Sequence, residues 1–160
     1  MKYLLDSNVF IQAKNSYYSF DFCPAFWNYL KHFAAHINDG LSIIQIKDEL
    51  LNGEDELSEW ISSLPAKYFI TSPQDEFRKI VNYVDTINVS RAGKDKFLDS
   101  GDPWLIAAAM KDQCIIVTEE ISAQQSTTKV KIPDICRAFH VSYIRTFDLL
   151  RQEKANFIMG

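Results

Sequence analysis

The sequence predicts an α/β domain built on a largely parallel sheet, and three observations carry this. Short apolar runs alternate with amphipathic segments along the whole chain, the pattern of strands joined through helices. Two of those runs, Lys2–Leu5 and Cys114–Thr118, are apolar enough for buried strands, and each leads into acidic residues. No internal repeat and no linker interrupts the 160 residues, so a single domain over 1–160 is expected.

The elements follow in order. Residues 2–5 read as the first strand, and Val9, Phe10 and Ile11 begin a short helical or loop segment. Tyr17, Tyr18, Phe20 and Phe22 form an aromatic connection up to Pro24. Phe26, Tyr29, Leu30 and Phe33 recur at spacings of three and four, which makes an amphipathic helix ended by Asn38-Asp39-Gly40. Leu41–Ile44 reads either as a short strand or as a helix start capped by Ser42 with Gln45 three residues on. The strand is preferred, followed by a helix through Leu51 that stops at Asn52-Gly53. A further helix carries Leu57, Trp60 and Ile61, and Tyr68–Thr71 reads as a strand. Ser72-Pro73-Gln74-Asp75 is a capped helix start leading to an apolar face of Phe77, Ile80, Val81, Val84 and Ile87. Residues 90–100 read as a polar loop with at most a short helix at Phe97-Leu98. The Asp102 helix, the Ile115 strand and a polar loop from Ser122 to Lys131 follow. Pro133–Phe139 reads as a helix, Val141–Ile144 as the last strand, and Thr146 as the cap of a final helix.

A hydrophobic fraction of 47% and an aromatic fraction of 13% supply a substantial core. No apolar run approaches the roughly 20 residues that cross a bilayer, and the N-terminus lacks the pattern of a signal peptide. The three cysteines, Cys23, Cys114 and Cys136, have no metal-type spacing, so reduced thiols in a cytoplasmic protein are expected. The net charge of −4 argues against a protein that grips nucleic acid mainly through charge. Cations in an acidic site, or a basic partner over it, would offset part of that deficit. Arg91 with Lys94 and Lys96, and Lys129 with Lys131, read as solvated loop charges. His32 and His36 share a helix face without the glutamate of a zinc protease motif, so they read as a surface pair. There is no phosphate-binding glycine loop and no nucleophile elbow.

Asp6 ends the first apolar run. In open α/β sheets the ligand crevice lies beyond the carboxyl ends of the strands, so this carboxylate is delivered to the expected edge. Small polar residues follow it, and a carboxylate so placed is suited to a divalent cation. More acids lie where they could join it: Glu119-Glu120 after the Ile115 strand, Asp102 at a helix start and Asp48-Glu49 on an early helix. Each also has a plain structural reading. Asp6 could cap the next turn, Asp102 before Pro103 is a good N-cap, and one of Asp48 and Glu49 must face solvent.

The ordered segments Asp6-Ser7-Asn8, Glu49-Leu50, Gly101-Asp102-Pro103-Trp104, Val117-Thr118-Glu119-Glu120 and Lys131–Cys136 resemble those of PIN-domain nucleases, the fold of many VapC-like toxins. The resemblance covers nearly the whole chain and is closest to a small single-domain branch of unknown function. It implies a PIN-like three-layer sandwich with a central, mostly parallel β-sheet flanked by helices. It implies a Mg²⁺- or Mn²⁺-dependent ribonuclease hydrolysing RNA phosphodiesters, the toxin of a bacterial type II toxin–antitoxin pair acting in the cytoplasm. A cognate antitoxin and a homodimer are the implied protein partners, and no membrane is involved.

By the same resemblance the catalytic acids are Asp6, Glu49, Asp102 and Glu120. Asp6, Asp102 and Glu120 would bind metal, and Glu49 would act through water or orient the attacking water. Asp48 is the alternative to Glu49, and Glu119 or Asp134 to Glu120. Many PIN domains have threonine, any residue and aspartate at the end of this strand; here the residues are Thr118, Glu119 and Glu120. Thr118, Ser7 and Asn8 are candidate supports, and Lys47, Arg91 and Lys94 candidate backbone contacts. Tyr17, Tyr18 and Trp104 are candidate exposed aromatics, for base stacking or a dimer contact. Two competing expectations are an inactive PIN-like binding or scaffold module and a phosphotransfer protein using Asp6 as acceptor. The second usually needs a lysine at a late strand end, whereas Lys129 and Lys131 fall in a predicted loop.

Overall fold

The computed structural model describes residues 1–159. Among the described residues five strands form, β1 (Tyr3–Leu5), β2 (Ser42–Ile43), β3 (Phe69–Ile70), β4 (Ile115–Val117) and β5 (Tyr143–Ile144), and each of their pairings is parallel. β1 pairs with β4 in the register Tyr3↔Ile115, Leu4↔Ile116, Leu5↔Val117, and β4 pairs with β5. β2 pairs with β3. The Leu5 N–H donates to the Leu41 carbonyl at 2.9 Å, and Ser42 Oγ donates to the Leu5 carbonyl at 2.6 Å. These bonds join the two ribbons in the order β3-β2-β1-β4-β5. The chain thus steps outward from β1 to β3, then returns past β1 to β4 and β5. That reversal makes the gap between the carboxyl ends of β1 and β4 the topological switch point, where open α/β sheets bind ligands.

Helices flank the sheet, as parallel strands require for burial. They are α1 (Ser7–Asn15), α2 (Pro24–His32), α3 (Ile44–Leu51), α4 (Glu56–Ser62), α5 (Gln74–Thr86), α6 (Arg91–Leu98), α7 (Asp102–Asp112), α8 (Ile132–Ala138) and α9 (Thr146–Gln152). A π-helical turn, Phe33–Ile37, continues α2, and left-handed Asp39 then turns the chain toward β2. Leu4, Leu5, Phe10, Ile43, Ile106, Ile116 and Val117 are fully buried at the centre. Each such side chain contributes roughly 1.5–3 kcal/mol. The aromatic connection folds inward: Phe20 stacks on Trp27 at 4.0 Å, Trp27 meets Trp60 edge-on at 4.9 Å, and Trp27 Nε1 donates to the Tyr18 carbonyl.

Local expectations fail where a distant partner overrides a local signal. Ser72 does not cap α5; its hydroxyl donates to the Trp104 carbonyl, and Pro73 takes the cap position. Phe77 stacks on Trp104 at 3.6 Å, which fixes α5 against α7 and leaves Trp104 half-buried. Residues 91–98 are a full helix rather than a loop. Ser90 Oγ accepts from the Gly93 N–H, Arg91 pairs with Asp95 one turn on, and Phe97 is buried. Thr146 is the first helical residue of α9, and its N–H is satisfied by the Glu119 carboxylate at 3.0 Å.

Asn38 sets the position of β1. Its Oδ1 accepts from the Lys2 and Tyr3 N–H groups at 3.0 and 2.9 Å, and its Nδ2 donates to the Tyr3 and Gly40 carbonyls. The side chain is buried, so its loss strands several backbone groups away from water. Asn38→Ala is expected to cost about 2–4 kcal/mol, read as a lower urea midpoint at unchanged slope. A cost within experimental error would contradict this role.

Candidate metal centre

Asp6 follows β1 directly and is 2% exposed. Its N–H continues the ladder to the Val117 carbonyl at 2.9 Å, so the sheet fixes its backbone. Oδ1 accepts the Ser7 N–H at 2.7 Å, the cap of α1, and Oδ2 accepts the Thr118 hydroxyl at 2.9 Å. Asp6 is thus both a helix cap and an acid at the switch point. Thr118 Oγ1 also accepts the Glu120 N–H at 3.0 Å, which turns the chain after β4. Asn8 reaches Asp6 through Thr118, to whose Oγ1 its Nδ2 donates at 3.4 Å, while its Oδ1 accepts the Glu119 N–H at 2.9 Å and clamps α1 to the end of β4.

Glu119 and Glu120 diverge from this turn. Glu119 runs to α9, where it accepts from Arg145 at 2.9 Å and from the Thr146 N–H. Burial alone would raise its carboxyl, but the hydrogen bonds at Thr146 and Arg145 outweigh that and hold it below the usual range. Glu120 lies on the side of Asp6. Its Oε2 accepts the Ile132 N–H at 2.8 Å, and its Oε1 is 4.0 Å from Lys131 Nζ.

Asp102 opens α7 but does not cap it: Gly101 holds the cap position. Among the described residues nothing donates a hydrogen bond to the Asp102 carboxylate. Glu49 reaches across from α3, and its Oε1 accepts the Gly101 N–H at 2.5 Å. A Cβ at Gly101 would stand 2.9 Å from that oxygen and 3.1 Å from Ile46 Cδ1, so glycine permits the approach. Asp48 is exposed, Asp99 caps the solvent end of α6, and Asp134 is held by Ser122, Ala123 and Arg137.

Glu49 and Glu120 lie close enough for their charges to act on both Asp6 and Asp102. Burial is the largest cause that pushes the Asp6 carboxyl up to about 7. The Thr118 and Ser7 bonds oppose the rise, while Glu120 and Glu49 add to it. Burial, then Asp6, Glu120 and Glu49, push Asp102 up to about 8, and only Lys131 opposes them. The buried Cys136 thiol on α8 is raised to about 12, first by burial and then by Asp6, Glu120 and Asp102, so it stays protonated beneath the acids.

The donor set is carboxylate oxygen, which hard divalent cations prefer. The unbonded Asp102 carboxylate and the surplus of negative charge fit a cation. Among the described residues, no group of three or more His, Cys, Asp or Glu side chains is arranged to hold a metal ion as it stands. A cation there would have to complete its shell with water, as Mg²⁺ does when it takes one or two protein carboxylates.

Residues 3–157 match a family described as Domain of unknown function (DUF4411). The chain belongs to that family. No curated protein matches it. No described helix is long and apolar enough to cross a membrane.

Two contributors escaped the sequence reading. Gly101 matters through its N–H and missing side chain, and its place before Asp102 was the available signal. Lys131 is not a plain loop charge but the cation beside Glu120. Conversely, Lys47 lies over the Phe69 ring, Arg91 pairs with Asp95 and Asp85, and Lys94 donates to the Asp85 carbonyl, so none of them is drawn to the acids.

The raised values give a stability prediction with a definite sign. Folded Asp6 and Asp102 bind protons more tightly than an unfolded chain does. Their contribution is therefore full below about pH 4 and is lost as pH rises through about 7 to 8. In EDTA, Asp102→Asn is expected to melt above wild type at about pH 9 and to converge with it only at about pH 4 and below. Each kcal/mol of relieved repulsion raises Tm by about 2–4 °C. A variant that melts below wild type at high pH would contradict the repulsion.

Proposed function

We propose that this protein is a PIN-like, Mg²⁺- or Mn²⁺-dependent endoribonuclease. The observation that carries the reading is the convergence of Asp6, Glu49, Asp102 and Glu120 at the switch point of the sheet, with Asp102 left without a protein partner. Perturbed acids in such a place are expected of a functional site. Asp6, Asp102 and Glu120 would hold the cation. When bound, it supplies Lewis-acid charge at the phosphodiester and makes a water more acidic.

The remaining roles belong to the chain itself. Thr118 and the Ser7 N–H lock the Asp6 rotamer, so no side-chain reorganisation is needed at the moment of reaction. Glu49, fixed by Gly101, has one oxygen free to orient the attacking water. Lys131 offsets part of the acids' charge and would meet substrate phosphate. The resemblance noted above extends the proposal to a cytoplasmic toxin with a cognate antitoxin and a homodimeric state. The acidic net charge favours an antitoxin that is at least locally basic.

One observation favours a second reading, an inactive PIN-like binding module. Glu49 and Glu120 each commit an oxygen to a backbone N–H, so both have structural work without any substrate.

The test is cleavage of a structured RNA pool with Mn²⁺ at low salt. Wild type is expected to cut, and Asp6→Asn and Glu49→Gln to lose about 100-fold or more in rate. No cleavage with any divalent cation, together with no cation-induced rise in Tm, would leave the binding module as the better reading.

A further inference from the structure

A cleft of about 160 Å³ opens on the same sheet edge as the acids, on the other side of Glu119. Val9 and Ala13 of α1 line it from below, and Tyr17, Tyr18 and Phe147 wall it. Tyr17 is 71% exposed and Phe147 44% exposed, and their ring centroids stand 5.8 Å apart at 56°. Tyr18 is held in place by stacking on Phe26 at 4.3 Å. The cleft therefore presents two solvent-facing rings on a rigid third, beside the paired Arg145 and Glu119.

We propose that this cleft holds an unpaired base of a single-stranded RNA whose backbone passes the carboxylates; the proposal rests on the ribonuclease reading. Three observations select this occupant. A chain of net charge −4 with four acids at its site cannot hold a polyanion mainly by charge, so the strand needs a grip of another kind. Base–aromatic stacking is such a grip, because every base has a π-face. The cleft is smaller than the roughly 300–1,000 Å³ pockets of drug-sized ligands, which suits one planar ring. Its one cation, Arg145, is already paired with Glu119 at 2.9 Å, so the rim offers hydrogen bonds to a base edge rather than net charge to a phosphate.

Location links the cleft to the chemistry. Val9 and Ala13 continue the helix that Asp6 caps, and Asn8 and Glu119 join the two sites through a hydrogen bond. Tyr17 lies just past the far end of α1, whose nine residues span about 13 Å at 1.5 Å per residue. The base it holds therefore belongs to a nucleotide some way along the strand from the reacting phosphate.

The test is fluorescence anisotropy with a short labelled oligoribonucleotide, single-stranded or annealed in a duplex, with the full chain in EDTA so that the strand survives. Tyr17→Ala and Phe147→Ala are expected to weaken single-strand binding about tenfold or more. Tyr17→Phe should retain affinity, the duplex should bind poorly, and affinity should not fall steeply with salt. Alanine variants that bind as wild type does, or a steep loss of affinity with salt, would overturn the proposal. So would a wild type that binds no RNA but self-associates through Tyr17 in sedimentation. Asp6-dependent cleavage with no effect of the aromatic variants would sink the cleft and spare the ribonuclease reading. Tyr17-dependent binding without metal-dependent cleavage would do the reverse.

Discussion

Thr118 Oγ1 donates to Asp6 Oδ2 at 2.9 Å just beyond the last ladder bond between β1 and β4. Both residues are buried. A carboxylate so placed is costly unless it is hydrogen-bonded, and Thr118 with the Ser7 N–H supplies those bonds. The same Thr118 oxygen receives the Glu120 N–H, so one hydroxyl fixes the first acid and aims the last. Asn8 completes the seam by holding Glu119. From this junction Glu119 caps α9, Glu120 braces the start of α8, and α1 begins from Asp6. The seam is a structural joint that buries acids beside one another, an arrangement expected of functional sites more than of ordinary cores.

The parallel sheet was legible because its strands are short apolar runs whose ends are marked. Lys2–Leu5 stops at Asp6, and Cys114–Thr118 runs into two glutamates. What escaped depended on partners distant in sequence. Ser72 looks like a cap until Trp104 offers a carbonyl, and Thr146 looks like one until Glu119 takes the role. The helix over 91–98 was hidden because its polar residues carry little periodicity; Ser90, the Arg91–Asp95 pair and buried Phe97 together define it. At the site, the types and places of the acids could be read, and their approach to one another could not. That approach depends on Gly101 yielding its N–H to Glu49 and on the two glutamates after β4 diverging.

The aromatic residues divide in a similar way. Tyr17, Tyr18 and Trp104 were equal candidates for exposure. Trp104 stacks on Phe77 and Tyr18 on Phe26, and of the three only Tyr17 is exposed, beside Phe147. Spacing could not separate them, because each ring's fate is set by a residue on another element. The acidic balance of the chain gains meaning from the same geometry. With four carboxylates gathered at one edge, Lys131 offsets part of their charge, and proton uptake by the raised Asp6 and Asp102 carboxyls relieves more.

The most direct measurement is anomalous diffraction from crystals soaked in Mn²⁺. The ribonuclease reading predicts one strong anomalous peak between Asp6, Asp102 and Glu120, with Asp102 supplying an oxygen directly. A peak elsewhere, or no peak at full soak with the acids deprotonated at about pH 9, would contradict a metal centre at the switch point.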